Sequence, residues 1–162
     1  MAIQLDDIDV TLLRELERDA DRPNVELARR IGLSPPATLH RVRRLKEAGV
    51  ITGIHARLDA AALGYGLRVY VAVVLADHDE PAERRLEAVV RRLPQVVSAD
   101  WVTGETDALL QVVARDVEDL QRVLTLISRA GGQRILTSLR LRELKGPSPL
   151  LGRGEDRSGR TV

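Results

Sequence analysis

Residues 24–48, NVELARRIGLSPPATLHRVRRLKEA, decide the fold of the first part of this chain, because they predict two short helices joined by a tight turn. Asn24 is a candidate cap of the first helix, and Gly32 suits the left-handed conformation that ends it. Ser34 is the next candidate cap, with Pro35 at the first helical position, where a missing N–H costs nothing. This order of helix, glycine-containing turn and helix is typical of a helix-turn-helix.

The second of these helices has an apolar stripe and a polar outward face. Its stripe consists of Leu39, Val42 and Leu45, and Gly49 ends the helix, with Val50 folding back onto it. At about 100° per residue, the side chains that point away from the stripe are Ala37, His40, Arg44 and Glu47, flanked by Arg41 and Arg43.

Charge is distributed unevenly along the first 57 residues. Residues 34–57 contain five Lys or Arg and one acid, whereas residues 1–26 contain three Arg and eight acids. A local excess of cations on one helix indicates contact with phosphate groups. The alternative is a solvated helix face without a partner, but the capping residues and the stripe in register favour an interface with double-stranded DNA.

The whole chain has 162 residues, a net charge of +1 and no cysteine, which leaves room for one domain or two small ones and excludes a disulfide framework. No run of about 18 apolar residues predicts a membrane span, and the acidic N-terminus lacks a signal core. Three widely separated histidines, at positions 40, 55 and 78, do not have metal-ligand spacing. We therefore expect a cytoplasmic protein without a metal or cofactor.

Further elements complete a first domain, predicted to span residues 1–57. A helix is expected over residues 5–18, with Asp6 as its cap. The stretch VITGIHARLD, at residues 50–59, is β-branched and alternating, and predicts a short strand or wing. The first domain is therefore predicted to be a winged helix-turn-helix, followed by a linker at residues 58–66.

The second half of the chain predicts a ferredoxin-like domain over residues 67–145. Its order of elements is strand, helix, strand, strand, helix, strand, the βαββαβ arrangement, so the fold class is α+β. The first strand is apolar on both faces, which predicts a second copy of the domain against the sheet and hence a homodimer. Residues 146–162, rich in Gly, Pro, Ser and charge, are predicted to be a disordered tail.

With both halves placed, the chain resembles the leucine-responsive and asparagine-responsive regulators, the Lrp/AsnC family. The resemblance rests on residues 5–53, on VTGETDALL at 102–110 and on TSLRLRELK at 137–145. It implies a transcription regulator with a domain for DNA, a domain for amino-acid sensing and assembly, and a homo-oligomer larger than a dimer, such as an octamer.

The candidate DNA-binding residues follow from the helix-turn-helix, which the resemblance carries over onto residues 24–43. We expect the N-terminal end of the second helix at Ser34, together with Arg43, to hold phosphates, and His40, Arg41 and Arg44 to meet base edges or nearby phosphates. The full candidate set is Asn24, Ser34, Ala37, Thr38, His40, Arg41, Arg43 and Arg44.

The resemblance also implies an effector site in the second domain, and its candidate residues are Gly104, Glu105, Thr106, Asp107, Thr137 and Ser138. Glu105 or Asp107 can pair with an α-ammonium group, and amides near Gly104 can take an α-carboxylate. The family usually has an aromatic residue where Thr106 stands, so this pocket should be more open and favour a polar or bulky amino acid. The alternative is a plain tight turn, with Asp107 bonded to its own backbone.

Two other functions fit the same two-domain plan. One is an enzyme similar to the siroheme decarboxylases, which needs His and Arg side chains converging on one cavity. The other is an architectural DNA-binding protein that responds to no effector. The basic side chains of the second helix favour the transcription regulator, and we do not expect an enzyme.

Overall fold

The computed structural model describes residues 3–77 and 79–151. The described parts of residues 1–56 and 145–162 form one compact unit, and residues 57–144 form a second. The elements, in chain order, are α1 (Asp7–Arg18), α2 (Asn24–Ile31), α3 (Pro35–Glu47), β1 (Leu67–Leu75), α4 (Glu80–Val90), β2 (Val96–Trp101), β3 (Ala108–Ala114), α5 (Val117–Arg129) and β4 (Gly132–Leu139). Within these ranges, no helix has the length and apolar character needed to cross a membrane.

The first unit is a three-helix domain built around a small leucine core. Leu12, Leu27 and Leu45, one from each helix, are almost completely buried and pack together. Helix α1 begins with a capping box: the Asp6 carboxylate accepts the Asp9 N–H at 2.7 Å, and the Asp9 carboxylate accepts the Asp6 N–H at 3.2 Å. The predicted cap of α1 is therefore confirmed.

Both ends of the helix-turn-helix follow the local sequence signals. Gly32 ends α2 with a φ of 71°, and the Ser34 hydroxyl accepts the Ala37 N–H at the start of α3. At the end of α3, the Val50 N–H donates to the Leu45 carbonyl at 2.9 Å, across Gly49 with a φ of 72°. The first bond gives a partner to an amide at the start of α3, and the second to a carbonyl near its end, groups that a helix otherwise leaves without partners.

Two local predictions in this unit are wrong. Asn24 does not cap α2; it lies inside the first turn, and its side-chain amide donates to the Pro35 carbonyl at 2.9 Å, which joins α2 to α3. Residues 50–59 form no strand. The amides of Val50 and Ile51 both donate to the Leu45 carbonyl, so the segment begins as a helix end and not as a ladder.

The second unit is a four-stranded antiparallel sheet in the order β2-β3-β1-β4, with α4 and α5 connecting its strands. The element order confirms the predicted ferredoxin-like arrangement. One face of β1 carries Val69, Val71 and Val73, all fully buried, and these pack with Leu86 of α4 and Ile127 of α5. The alternation of Leu139 and Leu141 with Arg140 and Arg142 predicts a strand as far as Leu144, but β4 ends at Leu139.

The other face of this sheet is partly apolar and exposed. Ala72 in β1 has Leu109 of β3 on one side and Leu136 of β4 on the other. Tyr70, Leu109 and Leu136 are each between 44% and 51% exposed. Among the described residues of this unit, no helix covers that face, as the two-faced apolar pattern of the first strand suggests.

The segment after the second unit makes contacts with the first unit. The backbone amides of Leu150 and Leu151 donate to the two carboxylate oxygens of Glu17, at 2.8 and 3.1 Å. Leu151 also packs against the leucine core. Both residues fall in the segment that the sequence predicts to be disordered. Residues 152–162 of that segment lie outside the described residues.

The orientation of α3 can be tested by stability measurements on two leucines. Replacing the fully buried Leu45 with Ala should lower the free energy of unfolding by about 2–5 kcal/mol, because it opens a cavity in the core. The same change at Leu39, which is 41% exposed, should cost about 0.5 kcal/mol. Urea denaturation followed by circular dichroism measures both. The stripe predicted from the sequence treats both leucines as buried and therefore predicts equal losses of stability. Equal losses would contradict the orientation of α3 in the structure.

Candidate nucleic-acid interface and candidate effector site

The surface that α3 offers to solvent differs from the predicted one by a rotation about the helix axis. Thr38 and Leu45 are fully buried, and Leu39 is exposed. At about 100° per residue, replacing Leu39 by Thr38 in the buried stripe turns the helix by roughly 30°. His40 and Arg43 therefore lie on the exposed side.

Two residues of the candidate DNA-binding set make side-chain hydrogen bonds within the helix-turn-helix. Thr38 is buried, and its hydroxyl donates to the Ser34 carbonyl at 3.0 Å. The side-chain amide of Asn24 is bonded to the Pro35 carbonyl. The fully buried Thr38 does not present its side chain to solvent, whereas Asn24 is half-buried and its contact with DNA stays a prediction.

The N-terminal end of α3 offers few amide donors for a phosphate. Pro35 and Pro36 have no N–H, and the Ala37 N–H is directed to the Ser34 hydroxyl at 3.4 Å. The Thr38 N–H donates to the Ser34 carbonyl at 3.0 Å. Ser34 itself is exposed and remains the candidate phosphate contact at this end, through its hydroxyl.

Arg41 and Arg44 extend toward α1 and pair with its acids. Arg41 Nη1 lies 2.7 Å from Asp6 Oδ2 and 2.8 Å from Asp9 Oδ1. Arg44 Nη2 pairs with the other oxygen of Asp9, Oδ2. Asp9 is fully buried. Both of its oxygens thus accept hydrogen bonds from arginines of α3.

These ion pairs shift the pKa values of Asp6 and Arg41. The pKa of Asp6 lies below its ordinary value, because the backbone N–H of Asp9 and then the Arg41 guanidinium bond to the ionised carboxylate. The pKa of Arg41 is raised by Asp6 and Asp9. Both groups therefore stay charged at neutral pH, and the Asp6–Arg41 pair persists there.

Arg43 and His40 differ from Arg41 and Arg44 in the side of α3 on which they lie. Both are exposed on the side of α3 opposite the leucine core, beside the half-buried Ala37. In the part of the chain that the structure describes, no salt bridge joins Arg43 to a carboxylate, in contrast to Arg41 and Arg44. Its charge is consequently available to a phosphate or a base edge. Arg43 and His40, with Ser34 at the helix start, form the exposed part of the candidate interface.

Asp9 is the residue of this site that the sequence reading missed. The sequence contains a signal for its local role, since an acid three residues after an Asp cap indicates a capping box. Its pairing with Arg41 and Arg44 depends on how α1 and α3 pack, and residues 32 and 35 positions apart give no local sign of it.

The candidate effector turn connects β2 to β3 in the second unit. The Val102 N–H donates to the Asp107 carbonyl at 2.9 Å, which closes the turn. Gly104 has a φ of 117°, a conformation that residues with a side chain rarely adopt. Glu105 is exposed, and its carbonyl accepts a bond from Arg134 of β4 at 3.5 Å.

Asp107 links this turn to the central strand. Its backbone N–H donates to the Val73 carbonyl at 2.9 Å, and its carboxylate accepts the Leu75 N–H at 2.8 Å. Asp107 thus bonds β1 as well as its own turn, where its carbonyl accepts the Val102 N–H. Asp107 therefore has a structural role in the sheet, whatever it binds in addition.

Thr137 and Ser138 do not complete the turn into one site within this chain. Thr137 pairs with Val71 and Ser138 with Tyr70. Tyr70 lies three residues before Val73, which is about 10 Å along β1 at the rise of a strand. Adjacent strand residues also point to opposite faces, so the two hydroxyls cannot line the same face of the sheet.

A cavity of about 340 Å³ lies between α4 and β2, next to this turn. Its lining is mostly apolar and includes Leu86, Val90 and Leu110. Trp101 and Glu87 add a polar side, where the indole N–H donates to the carboxylate at 3.1 Å. Most small-molecule sites have volumes of about 300–1,000 Å³. The volume of this cavity lies at the lower end of that range.

The chain matches two sequence families, one for each unit. Residues 5–52 match a family described as "Winged helix-turn-helix DNA-binding", and residues 68–150 match the "Lrp/AsnC ligand binding domain". These descriptions agree with the fold predicted for each half.

Relatives match nearly the whole chain. The HTH-type transcriptional regulator AldR of Mycolicibacterium smegmatis is 40% identical over 92% of this chain and 88% of its own. The leucine-responsive regulatory protein of Rhizobium meliloti is 40% identical over 88% and 93%. Among solved structures, the transcriptional regulator NMB0573 of Neisseria meningitidis, in complex with L-Met, has a TM-score of 0.82 at 33% identity over 91% and 96%.

Proposed function

Because the chain belongs to the Lrp/AsnC family of DNA-binding transcription regulators, we propose that it reads its operator with α3. The observation that carries this proposal is the exposed side of α3, where His40 and Arg43 face solvent without acids of α1 beside them. A helix in this position of a helix-turn-helix enters the major groove.

The roles within the interface follow from exposure and pairing. Ser34 and Arg43 contact phosphates, one at the start of α3 and the other along its exposed side. His40 lies one turn before Arg44, on the side that meets base edges. Arg44 is 41% exposed and lies at the rim of this surface, beside α1. Arg41, at 24% exposure, is held further from DNA by its two acids.

A homo-oligomer is the second part of the proposal. The sheet face that carries Tyr70, Leu109 and Leu136 has its apolar side chains exposed. A second copy on this face would bury them, and two-fold dimers are the commonest assembly. A dimer carries two copies of α3, which suits an operator with two half-sites. Association of dimers into a larger ring, such as an octamer, is proposed from the family alone.

The effector of the ligand-binding domain is proposed to be an amino acid or a related metabolite. The Neisseria relative was solved in complex with L-Met, which supports an amino acid for this chain. The cavity beside Trp101 has a mostly apolar lining for a ligand side chain. The exposed Glu105 is placed to pair with an α-ammonium group at the turn. An effector-independent architectural protein would require that this cavity bind no metabolite.

The alternative enzyme has less support. A siroheme decarboxylase-like site needs His and Arg side chains around one cavity. Arg91 lines the cavity of the second unit, but no histidine is among the residues described there. We therefore propose regulation of transcription as the function of this site.

The DNA-reading role of α3 can be tested with Arg43→Ala. Loss of a phosphate contact should weaken binding to all DNA sequences similarly and lower the salt slope by about 1 per protomer. Fluorescence anisotropy with the protein's own promoter DNA at several salt concentrations measures both quantities. The matched control is Arg129→Ala, which removes an exposed charge at the end of α5 and should leave binding unchanged. Equal behaviour of the two variants would exclude α3 as the reader.

The effector proposal can be tested by thermal-shift screening of the twenty amino acids at millimolar concentration. At least one should raise the unfolding temperature, because a ligand that binds only the folded state stabilises it. Glu105→Gln should reduce that response, since it removes the charge that pairs with the α-ammonium. Asp107 is a poorer test residue, because its carboxylate also bonds to Leu75. Silence from all twenty amino acids would favour the effector-independent protein.

A further inference from the structure

One buried acid of α1 controls two of the arginines of α3. Asp9 is 0% exposed. Its Oδ1 accepts a bond from Arg41 at 2.8 Å, and its Oδ2 pairs with Arg44. Asp6 adds a second carboxylate on Arg41 at 2.7 Å. The two acids therefore neutralise the two arginines, and Arg43 keeps its charge on the exposed side of the same helix.

The geometry of Arg44 is that of a side chain fixed in place and still partly presented to solvent. Its side chain is 41% exposed. Its Nε is buried, without a hydrogen-bond partner among the described residues, and one of its terminal nitrogens is held by Asp9. The planar guanidinium has five N–H donors. The N–H groups of its two terminal nitrogens that Asp9 does not use remain for a ligand at the exposed edge.

Holding an arginine in one orientation favours sequence-specific DNA binding. Neutralising its charge weakens binding to DNA of any sequence. Binding to any DNA depends on the number of phosphates that cations neutralise, so a carboxylate beside Arg44 weakens it. Recognition of a base depends on a bidentate contact in a defined orientation, such as that of Arg with the O6 and N7 atoms of guanine. An arginine already held in one rotamer loses less entropy when it makes that contact.

We propose that Asp9 is a positioning residue that determines specificity: it orients Arg44 toward a guanine edge and prevents Arg41 and Arg44 from acting as phosphate-binding cations. This inference rests on the proposed reading role of α3. It goes beyond that role, because it assigns the balance between specific and non-specific binding to a residue that cannot itself reach DNA.

The test is Asp9→Asn, which keeps the shape of the side chain and removes its charge. Two probes are needed: a duplex selected from a random library with the wild-type protein, and calf-thymus DNA as random sequence. We expect affinity for random DNA to increase, with a salt slope steeper by about 1 per protomer. We expect the ratio of specific to random affinity to fall by about 5- to 150-fold, the discrimination that one bidentate contact provides. An unchanged ratio would overturn the proposal, as would an equal loss on both probes by a folded variant.

Two control variants separate the position of Asp9 from its charge. Asp7→Asn removes one acid from the same turn, where Asp7 is exposed and no described arginine pairs with it. Asp6→Asn releases part of the hold on Arg41 but leaves the Asp9–Arg44 pair in place, and Asn also caps helices well. Both variants should keep the wild-type ratio. A fall in the ratio as large as that of Asp9→Asn in either variant would show that net charge alone is responsible, and would overturn the proposal.

Arg44→Lys keeps the proposal testable if Asp9→Asn does not fold, as judged by its thermal unfolding. Lysine retains the charge but cannot make the planar bidentate contact. The affinity for random DNA should therefore stay near the wild-type value. The ratio of specific to random affinity should fall by about 5- to 150-fold, as in Asp9→Asn. A wild-type ratio in Arg44→Lys would overturn the role of Arg44. If α3 were not the reader at all, Arg43→Ala and Arg44→Lys would both be silent, which distinguishes that failure from this one.

Discussion

The first unit depends on the pairing of one buried carboxylate with two arginines. An unpaired charge in a protein interior costs several kcal/mol, and removing one partner of a buried pair has a similar cost. Asp9 of α1 is fully buried, so α3 must keep Arg41 and Arg44 directed toward it. This requirement fixes the rotation of α3 about its own axis. The rotation in turn places His40 and Arg43 on the exposed side, where DNA can reach them.

The ends of the elements were predictable because their signals are local. A Ser before Pro35, a Gly at position 32 and a Gly at position 49 specify backbone conformations within a few residues, and each is used as predicted. The βαββαβ order was predictable for a similar reason, since each strand and helix has its own periodicity. The rotation of α3 about its own axis was not predictable from the sequence. Leu39 and Thr38 are both compatible with a buried stripe, and the choice between them depends on how α3 packs against α1 and α2.

The candidate effector residues stay a prediction, but sheet register separates two of them from the turn. The family resemblance groups Thr137 and Ser138 with the turn. Strand register, however, determines which face of the sheet each residue occupies and how far along the strand it lies. Pairing with Val71 and Tyr70 places them apart from Asp107, which reaches Val73 and Leu75. The sequence likewise shows that Asp107 can accept hydrogen bonds, but its partner, the Leu75 amide, can be identified only once the neighbouring strand is placed.

The two units of the regulator have separate chemistry. In the first, a neutralised pair of arginines and an exposed one share a helix. In the second, a turn closed by Asp107 lies beside a cavity with a mostly apolar lining. The apolar open face of the sheet suits a second copy, which would supply a second α3 and hence a second half-site.

The central claim, that α3 reads the major groove, is tested most directly by dimethyl sulfate protection of bound operator DNA. This reagent methylates guanine N7 in the major groove and adenine N3 in the minor groove. The account predicts protected guanines in two groups, separated by about 10 base pairs or a multiple of that spacing. Protection confined to adenine N3, or a bound complex without any protected guanine, would contradict it.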